Sequence, residues 1–438
     1  MYVSDPSSIA MRWLPDPVTE ADLRLWVNDL ANAGADIFVQ EAYTQGWTTY
    51  WRTDRYDYDA RPQHERFLPL LDASLQPLQI LLEQSHERGI EFAAGMRVND
   101  NHGHISVAQG VGAGSSFLTD NPQWQIRADE GALGTGTFLD FTHAEVRAHI
   151  AGVADHLLET FDLDGLELCF RDEAYFPAGT ERDRQPLMTA FIRSVREILE
   201  RAGERRGRQL VLGARVYATL ELCGSQGLDV AAWVGEGLID WVAPSDTMYM
   251  AINEPIDEFG KLTEGTGCML YPAIMPHSSA RRISWLDSQP LNLEQKRAAA
   301  QNFYAAGADG LSYYNHMWAI EWPPFYPMAL HEMGELGDPK RVTRGNRHYI
   351  FEPMLDGQRI WGNGIEPVAR PQPERITLRR TLSKDSGRFR FRICEQVSKV
   401  RHASLLFRAY GMTRNDRVEV LLNGHRIRPP ALRLCSAG

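Results

Sequence analysis

The chain has 438 residues, 43% hydrophobic and 24% charged, with 46 Lys and Arg against 57 Asp and Glu for a formal net charge of −11. This is an ordinary globular composition, and no apolar run approaches the 18 or so residues of a membrane span, which argues against a membrane partner. The charge is unevenly divided: residues 365–438 hold 16 Lys and Arg against 6 Asp and Glu, leaving 30 against 51 for residues 1–364, and so acidic a body repels phosphate and argues against nucleic acid.

The basic charges of the last 74 residues are spread evenly, so docking against the chain's own acidic part is a plainer use for them than an anion site. The start, Met1-Tyr2-Val3-Ser4-Asp5-Pro6, lacks the basic segment and apolar stretch of a secretory leader. That points to the cytoplasm, or to secretion if a leader has been removed. The five cysteines, at 169, 223, 268, 394 and 435, form no C-x-x-C pair and read as free thiols.

From residue 9 onward short β-rich runs alternate with amphipathic helical stretches, the pattern of parallel strands joined by crossover helices. The strands are predicted at 9–13, 36–41, 91–97, 163–170, 210–217, 238–243, 268–274 and 310–315. The helices are predicted to begin near Thr19, Leu75, His143, Gln185, Leu228, Pro255, Asn292 and Pro324. Thr19-x-x-Asp22 and Asn292-x-x-Gln295 read as capping boxes. Returns from helix to strand are tight and carry glycine, as in Ala33-Gly34-Ala35, Arg88-Gly89-Ile90 and Ala306-Gly307-Ala308, whereas several exits from strand to helix are long. In a barrel all strand exits lie on one face, so the asymmetry predicts an α/β fold, a (β/α)8 TIM barrel with one built-up rim.

The barrel is assigned to residues 1–340, and residues 341–438 to a connector and a small C-terminal antiparallel β-sandwich of jelly-roll type. The alternation in Arg388–Ile393 and Arg417–Leu422, with the hairpin turn Asn423-Gly424, carries the second assignment.

Side chains alternate along each strand, so those on the inner face near its C-terminal end reach the rim. In Asp164-Gly165-Leu166-Glu167-Leu168-Cys169-Phe170-Arg171, the leucines and Phe170 pack outward and Glu167, Cys169 and Arg171 face inward. A carboxylate and a guanidinium there are expensive to bury, which points to use; the plainer alternative is an ion pair of Glu167 with Arg171 or Arg97. Arg97 and Asn99 face inward on the third strand, followed by Asp100, His102 and His104. No further ligands of defined spacing accompany those histidines, so bonding to sugar hydroxyls is preferred to a metal, and no cofactor is expected. The sixth strand delivers Asp246 to the same rim. Two carboxylates from different strands are what glycoside cleavage requires, and Glu167 with Asp246 is the favoured pair, Asp172 competing with Glu167.

Further substrate-binding candidates are Glu41 on the second strand, Arg215 and Tyr217 on the fifth, Tyr249 after the sixth and His277 after the seventh. Asn315, His316 and Trp318 follow the eighth. Aromatics gathered on these exits, Trp47, Tyr50, Trp51, Tyr175, Tyr313, Tyr314 and Trp322 among them, suit stacking on pyranose rings and make carbohydrate the expected partner. No nucleophile elbow, P-loop or dinucleotide fingerprint is present.

The strings His86-Glu87-Arg88-Gly89-Ile90-Glu91, Arg97-Val98-Asn99-Asp100, Asn121-Pro122-Gln123-Trp124, 139–147 and Asp164-Gly165-Leu166-Glu167-Leu168 together resemble the bacterial "glycosyl hydrolase-like family 10" barrel proteins over residues 9–335. The resemblance implies a sugar-hydrolase fold. Two departures bear on the site: Cys169 stands where such proteins carry a second acid, and the run from Tyr271 to His277 lacks the glutamate nucleophile of the large retaining clan. The expected activity is that of a glycoside hydrolase acting on an oligosaccharide or polysaccharide fragment. Polysaccharide lyase-type elimination on a uronate sugar and a catalytically silent carbohydrate-binding barrel are the alternatives.

Overall fold

The structure is a computed structural model, and it describes residues 1–7, 14–100, 114–127, 137–170, 174–245, 250, 252–278, 289–314, 316, 328–350, 376–380, 385–407, 409–413 and 415–427. Backbone packing divides the chain into two units, Met1–Cys394 and Glu395–Gly438.

The first unit is built on parallel strands β1 (Tyr2–Ser4), β2 (Ile37–Thr44), β3 (Glu91–Arg97), β4 (Gly165–Cys169), β5 (Val211–Tyr217) and β6 (Trp241–Ser245). Strand β7 comes in two pieces, Met269–Leu270 and Ala273–Ile274, and β8 is Ser312–Tyr313. The first piece of β7 pairs with β6 and the second with β8, which in turn pairs with β1. The sheet therefore begins and ends on the same strand, and the barrel is closed. Pro272, which has no N–H to give, stands where β7 changes partner; its carbonyl accepts from Ser312 N at 3.0 Å.

Helices α1 (Glu20–Asn32), α2 (Pro77–Glu87), α3 (Ala144–Thr160), α4 (Glu181–Arg206), α5 (Val230–Gly235), α6 (Ile256–Thr263), α7 (Leu293–Ala305) and α8 (Glu332–Leu336) follow the strands in turn. Both capping boxes form, Thr19 with Asp22 and Asn292 with Gln295. The returns turn on Gly34, Gly89 and Gly307, at φ of 89°, 70° and 101°, a conformation that costs glycine nothing. Outward residues such as Phe38, Phe92, Leu166, Leu168 and Phe170 are wholly buried between sheet and helices. Among the described residues, no helix is long and apolar enough to cross a membrane.

The first strand departs from expectation. It is Tyr2–Ser4, in register with Phe38, Val39 and Gln40, and not 9–13; residues 8–13 lie outside the described residues. Three residues are too few to show an alternation, so only the pairing on both sides reveals the strand. The expected strand Arg388–Ile393 forms no ladder among the described residues. Its end lies within the first unit, where Asn302 Nδ2 donates to Arg392 O at 2.9 Å and Asn302 Oδ1 accepts from Cys394 N at 3.1 Å.

In the second unit the described residues form one antiparallel hairpin, Leu421–Leu422 with His425–Arg426. Its turn is Asn423-Gly424, both at positive φ (51° and 81°), the geometry of a type I′ turn.

Candidate active site

A continuous buried polar network runs from the C-terminal strand ends into the barrel interior. Arg97, the last residue of β3, gives each guanidinium nitrogen to a carboxylate from a different segment. Its Nε donates to Glu41 Oε1 at 3.0 Å, its Nη1 to Asp100 Oδ2 at 2.8 Å and its Nη2 to Asp5 Oδ2 at 3.3 Å. Burial by itself would favour the neutral guanidinium, but Glu41, Asp100 and Asp5 outweigh it and hold the Arg97 pKa well above its ordinary value. Glu41 Oε1 also accepts from the Tyr314 hydroxyl at 3.0 Å. The Tyr314 ring lies 4.5 Å from the Arg215 guanidinium carbon, a cation–π contact.

Arg215 carries the network to the far side of the barrel. Its Nε donates to Glu167 Oε1 at 3.0 Å, and its Nη2 to Glu167 Oε2 at 3.3 Å and to Ser312 Oγ at 2.6 Å. The Trp241 indole Nε1 donates to Glu167 Oε2 at 3.1 Å. Register explains the fit. Glu167 pairs with Gly95 on one side and Gly213 on the other, and neither neighbour puts a side chain into its space. An added Cβ at Gly213 would overlap the Trp241 indole, and one at Gly95 would come within 3.1 Å of Glu41 Cα and Cγ. Arg215 stands two residues nearer the C-terminal end than Gly213 and reaches back to the carboxylate.

Both oxygens of Glu167 therefore accept from Arg215, and among the described residues its partner is not Arg97, one of the two expected. Arg97 is committed to Asp5, Glu41 and Asp100, and Arg171 lies outside the described residues. Among the described residues, Arg215 Nη1 is buried with no hydrogen-bond partner.

Asp5 joins this network to a second one beneath the first two strand exits. Ser7 N donates to Asp5 Oδ1 at 2.9 Å, and Ser7 Oγ lies 2.9 Å from His64 Nε2 and 2.6 Å from Arg61 Nη2. Asp59 is bound by Arg61 and lies 3.6 Å from His64 Nε2. The residue types are those of a nucleophilic triad, but the arrangement is not one. Asp59 approaches the same ring nitrogen as Ser7, His64 Nδ1 meets no partner among the described residues, and all three residues are buried. The cluster ties the β1 exit to the β2 exit.

The other expected residues are spread differently. Asn99 spends its amide on the exits themselves: Nδ2 donates to Leu139 O at 2.9 Å and Ala174 O at 2.6 Å, and Oδ1 accepts from Trp47 Nε1 at 3.1 Å and Leu139 N at 3.0 Å. Such a residue shapes a site more than it meets a ligand. Tyr217 ends β5 and is buried. His277 is pushed down to about 4 by burial and by Lys296. His316 lies well below the usual histidine range, chiefly through burial; its Nε2 donates to Ile274 O at 2.7 Å. Asp172, Asp246, His102, Tyr249, Asn315 and Trp318 lie outside the described residues.

Sequence reasoning missed Asp5, Trp241 and Ser312, and took Tyr314 only for a stacking aromatic. The signal for the last two was present, since Gly310, Ser312 and Tyr314 alternate on one face of the last strand.

Closure of the sheet defines the class of the molecule: a (β/α)8 barrel whose interior carries a charged network that reaches the C-terminal strand ends. No family model matches the chain, and no curated protein does. Among solved structures it is similar to the glycoside hydrolase domain of PgaB (BpsB) from Bordetella bronchiseptica, at TM-score 0.48 and 14% identity over 77% of this chain and 98% of that one. It is similar also to an α-amylase from Geobacillus thermoleovorans complexed with acarbose, at TM-score 0.47 and 13% identity over 78% of each chain. A glycoside hydrolase family 20 β-N-acetylglucosaminidase gives TM-score 0.46 and 13% identity over 78% of this chain and 72% of that one. At these identities the likeness assigns no residue a role.

Proposed function

We propose that the chain is a glycoside hydrolase acting on an oligosaccharide or polysaccharide fragment at the C-terminal end of its barrel. The observation that carries this reading is the run of buried ions that leads from the strand ends, where Arg97 meets Asp5, Glu41 and Asp100, into the barrel interior, where Arg215 meets Glu167. Taking such ions out of water costs several kcal/mol each. Stability alone gives no reason to collect that cost along a barrel interior up to the end where chemistry is done. The resemblance of the strings between residues 86 and 168 to a group of sugar-hydrolase barrels adds to it.

Within this reading Glu167 is a positioning residue. Its two oxygens take three donors from Arg215 and Trp241, and it seats Arg215, whose Nη1 is left to donate to a substrate oxygen. The pair that cleaves is then Asp246 on the β6 exit with Asp172 on the β4 exit, one protonating the leaving oxygen and the other acting as nucleophile or base. The geometry favours hydrolysis over elimination on a uronate. Arg97, the obvious partner for a uronate carboxylate, has every nitrogen on a carboxylate of its own chain.

The test is a panel of neutral and acidic poly- and oligosaccharides, reading reducing ends and ultraviolet absorbance together. Reducing ends without absorbance, falling by roughly 10²–10⁴ in Asp246→Asn and Asp172→Asn with the fold intact, are the expected result. An absorbing product would replace hydrolysis by elimination, and binding without turnover across the panel would leave a carbohydrate-binding barrel.

A further inference from the structure

The descent from the β6 exit into α6 is held at three points. Met250 N donates to His277 O at 2.9 Å on the β7 exit. Asn302 Nδ2, from the buried side of α7, donates to Ile252 O at 3.0 Å. Asn253 Oδ1 accepts from Arg392 N at 2.7 Å. The second and third of these ties converge on one stretch of chain far along the sequence, because Asn302 gives its other N–H to Arg392 O and takes Cys394 N on its Oδ1.

An acceptor at residue 392 and a donor at residue 394, both served by one amide, is the pattern by which a residue of a parallel strand bonds its neighbour. The side chain of Asn302 thus stands in for a strand. Asparagine is a poor residue for a helix interior because its amide competes for backbone groups; here that capacity is what the position uses. Two more contacts fasten the stretch: Gln301 Nε2 donates to Cys394 O at 2.9 Å, and the Arg392 guanidinium grips Asp257, in the first turn of α6, with both Nη1 and Nη2.

We infer that residues 392–394 form a strap that positions the β6 exit for the reaction, through Arg392, Asn253 and Asn302. The consequence for catalysis rests on the hydrolase reading, since it is Asp246 that this exit carries; the mechanical claim does not. Exit segments of barrels need to be rigid to hold a reacting group in place, and this one draws its support from chain more than a hundred residues away.

The experiment is peptide-resolved amide exchange on the full chain, with steady-state kinetics beside it. Arg392→Pro removes both the N–H that Asn253 accepts and the guanidinium on Asp257, at a site on the outside of the helices. Amides of 250–256 are expected to exchange about tenfold faster, with those of β3 to β5 unchanged, as a local opening requires. On whichever saccharide the wild type cleaves, kcat is expected to fall about tenfold and KM to move much less, the mark of a misplaced reacting group.

Because proline can disturb the backbone for its own reasons, the charge swap Asp257→Arg with Arg392→Asp provides the control. Each single change is expected to loosen 250–256, and the pair to restore it together with kcat. Exchange at 250–256 that stays at the wild-type rate while 388–394 loosens would overturn the strap. Loosening with kcat unchanged would overturn its part in the reaction and leave the hydrolase reading intact. If the wild type cleaves no saccharide the hydrolase reading fails, while the exchange data still decide the strap.

Discussion

Arg215 holds Glu167 from two nitrogens, Nε at 3.0 Å from Oε1 and Nη2 at 3.3 Å from Oε2, with both side chains essentially inaccessible to solvent. A buried pair of this kind contributes little net stability when whole, because desolvation offsets the attraction, but breaking it strands a charge. Glu167→Gln keeps the shape and leaves Arg215 uncompensated. It is expected to cost about 3–5 kcal/mol in urea unfolding, and Arg215→Met added to it is expected to recover a good part of the loss.

Gly213 has no room for a side chain, since the Trp241 indole fills that space on its way to Glu167. Gly213→Ala is expected to cost about 1–3 kcal/mol by overpacking. A shift in tryptophan emission as the indole leaves Glu167 is the accompanying sign. An unchanged emission maximum at wild-type stability would mean that the indole is not held there.

Tyr314 touches both halves of the network, its hydroxyl on Glu41 and its ring under Arg215. Tyr314→Phe deletes only the first contact and is expected to cost about 1 kcal/mol. On the proposed reading kcat/KM falls by about tenfold as Glu41 and Arg97 shift. Melting curves and saccharide kinetics on the same preparation separate the two effects.

His64 supplies a pH dependence whose sign follows from its depressed pKa. Burial pushes the imidazole down to about 4, against the attraction of Asp59 and with help from Arg61, whereas in the unfolded chain it titrates near about 6.5. Between those values the unfolded state holds the proton and the folded state does not. The stability is therefore complete above about pH 6.5, falls as pH drops toward 4 and levels off below, with about 2 kcal/mol lost at pH 5. Urea unfolding at pH 7 and pH 5 is expected to show a loss in the wild type that is smaller by about 2 kcal/mol in His64→Gln, the remainder coming from other histidines held neutral by burial, His149, His277 and His316 among them.

Much of the barrel could be read from single positions and their neighbours. Tight glycine returns, the two capping boxes and the Asn423-Gly424 turn are local devices whose chemistry works within a few residues, and each appears in the structure where the residues place it. The inward face of β4 follows from alternation alone, so Glu167 could be put inside the barrel before any fold was known. Pairings across the barrel could not. That Glu167 meets Arg215 and not Arg97 depends on the register of three strands and on two glycines that clear the space between them. That Tyr2–Ser4 is a strand depends on β2 and β8 lying on either side of it. That a basic, alternating segment near the end of the chain straps an exit loop depends on one asparagine of α7. Local sequence determined which residues turn, cap and face inward, because those choices are made by steric and hydrogen-bonding preferences within a turn or a pleat. Closure of the sheet decided which charges meet, because a buried ion takes its partner from whatever the tertiary structure brings within about 3 Å.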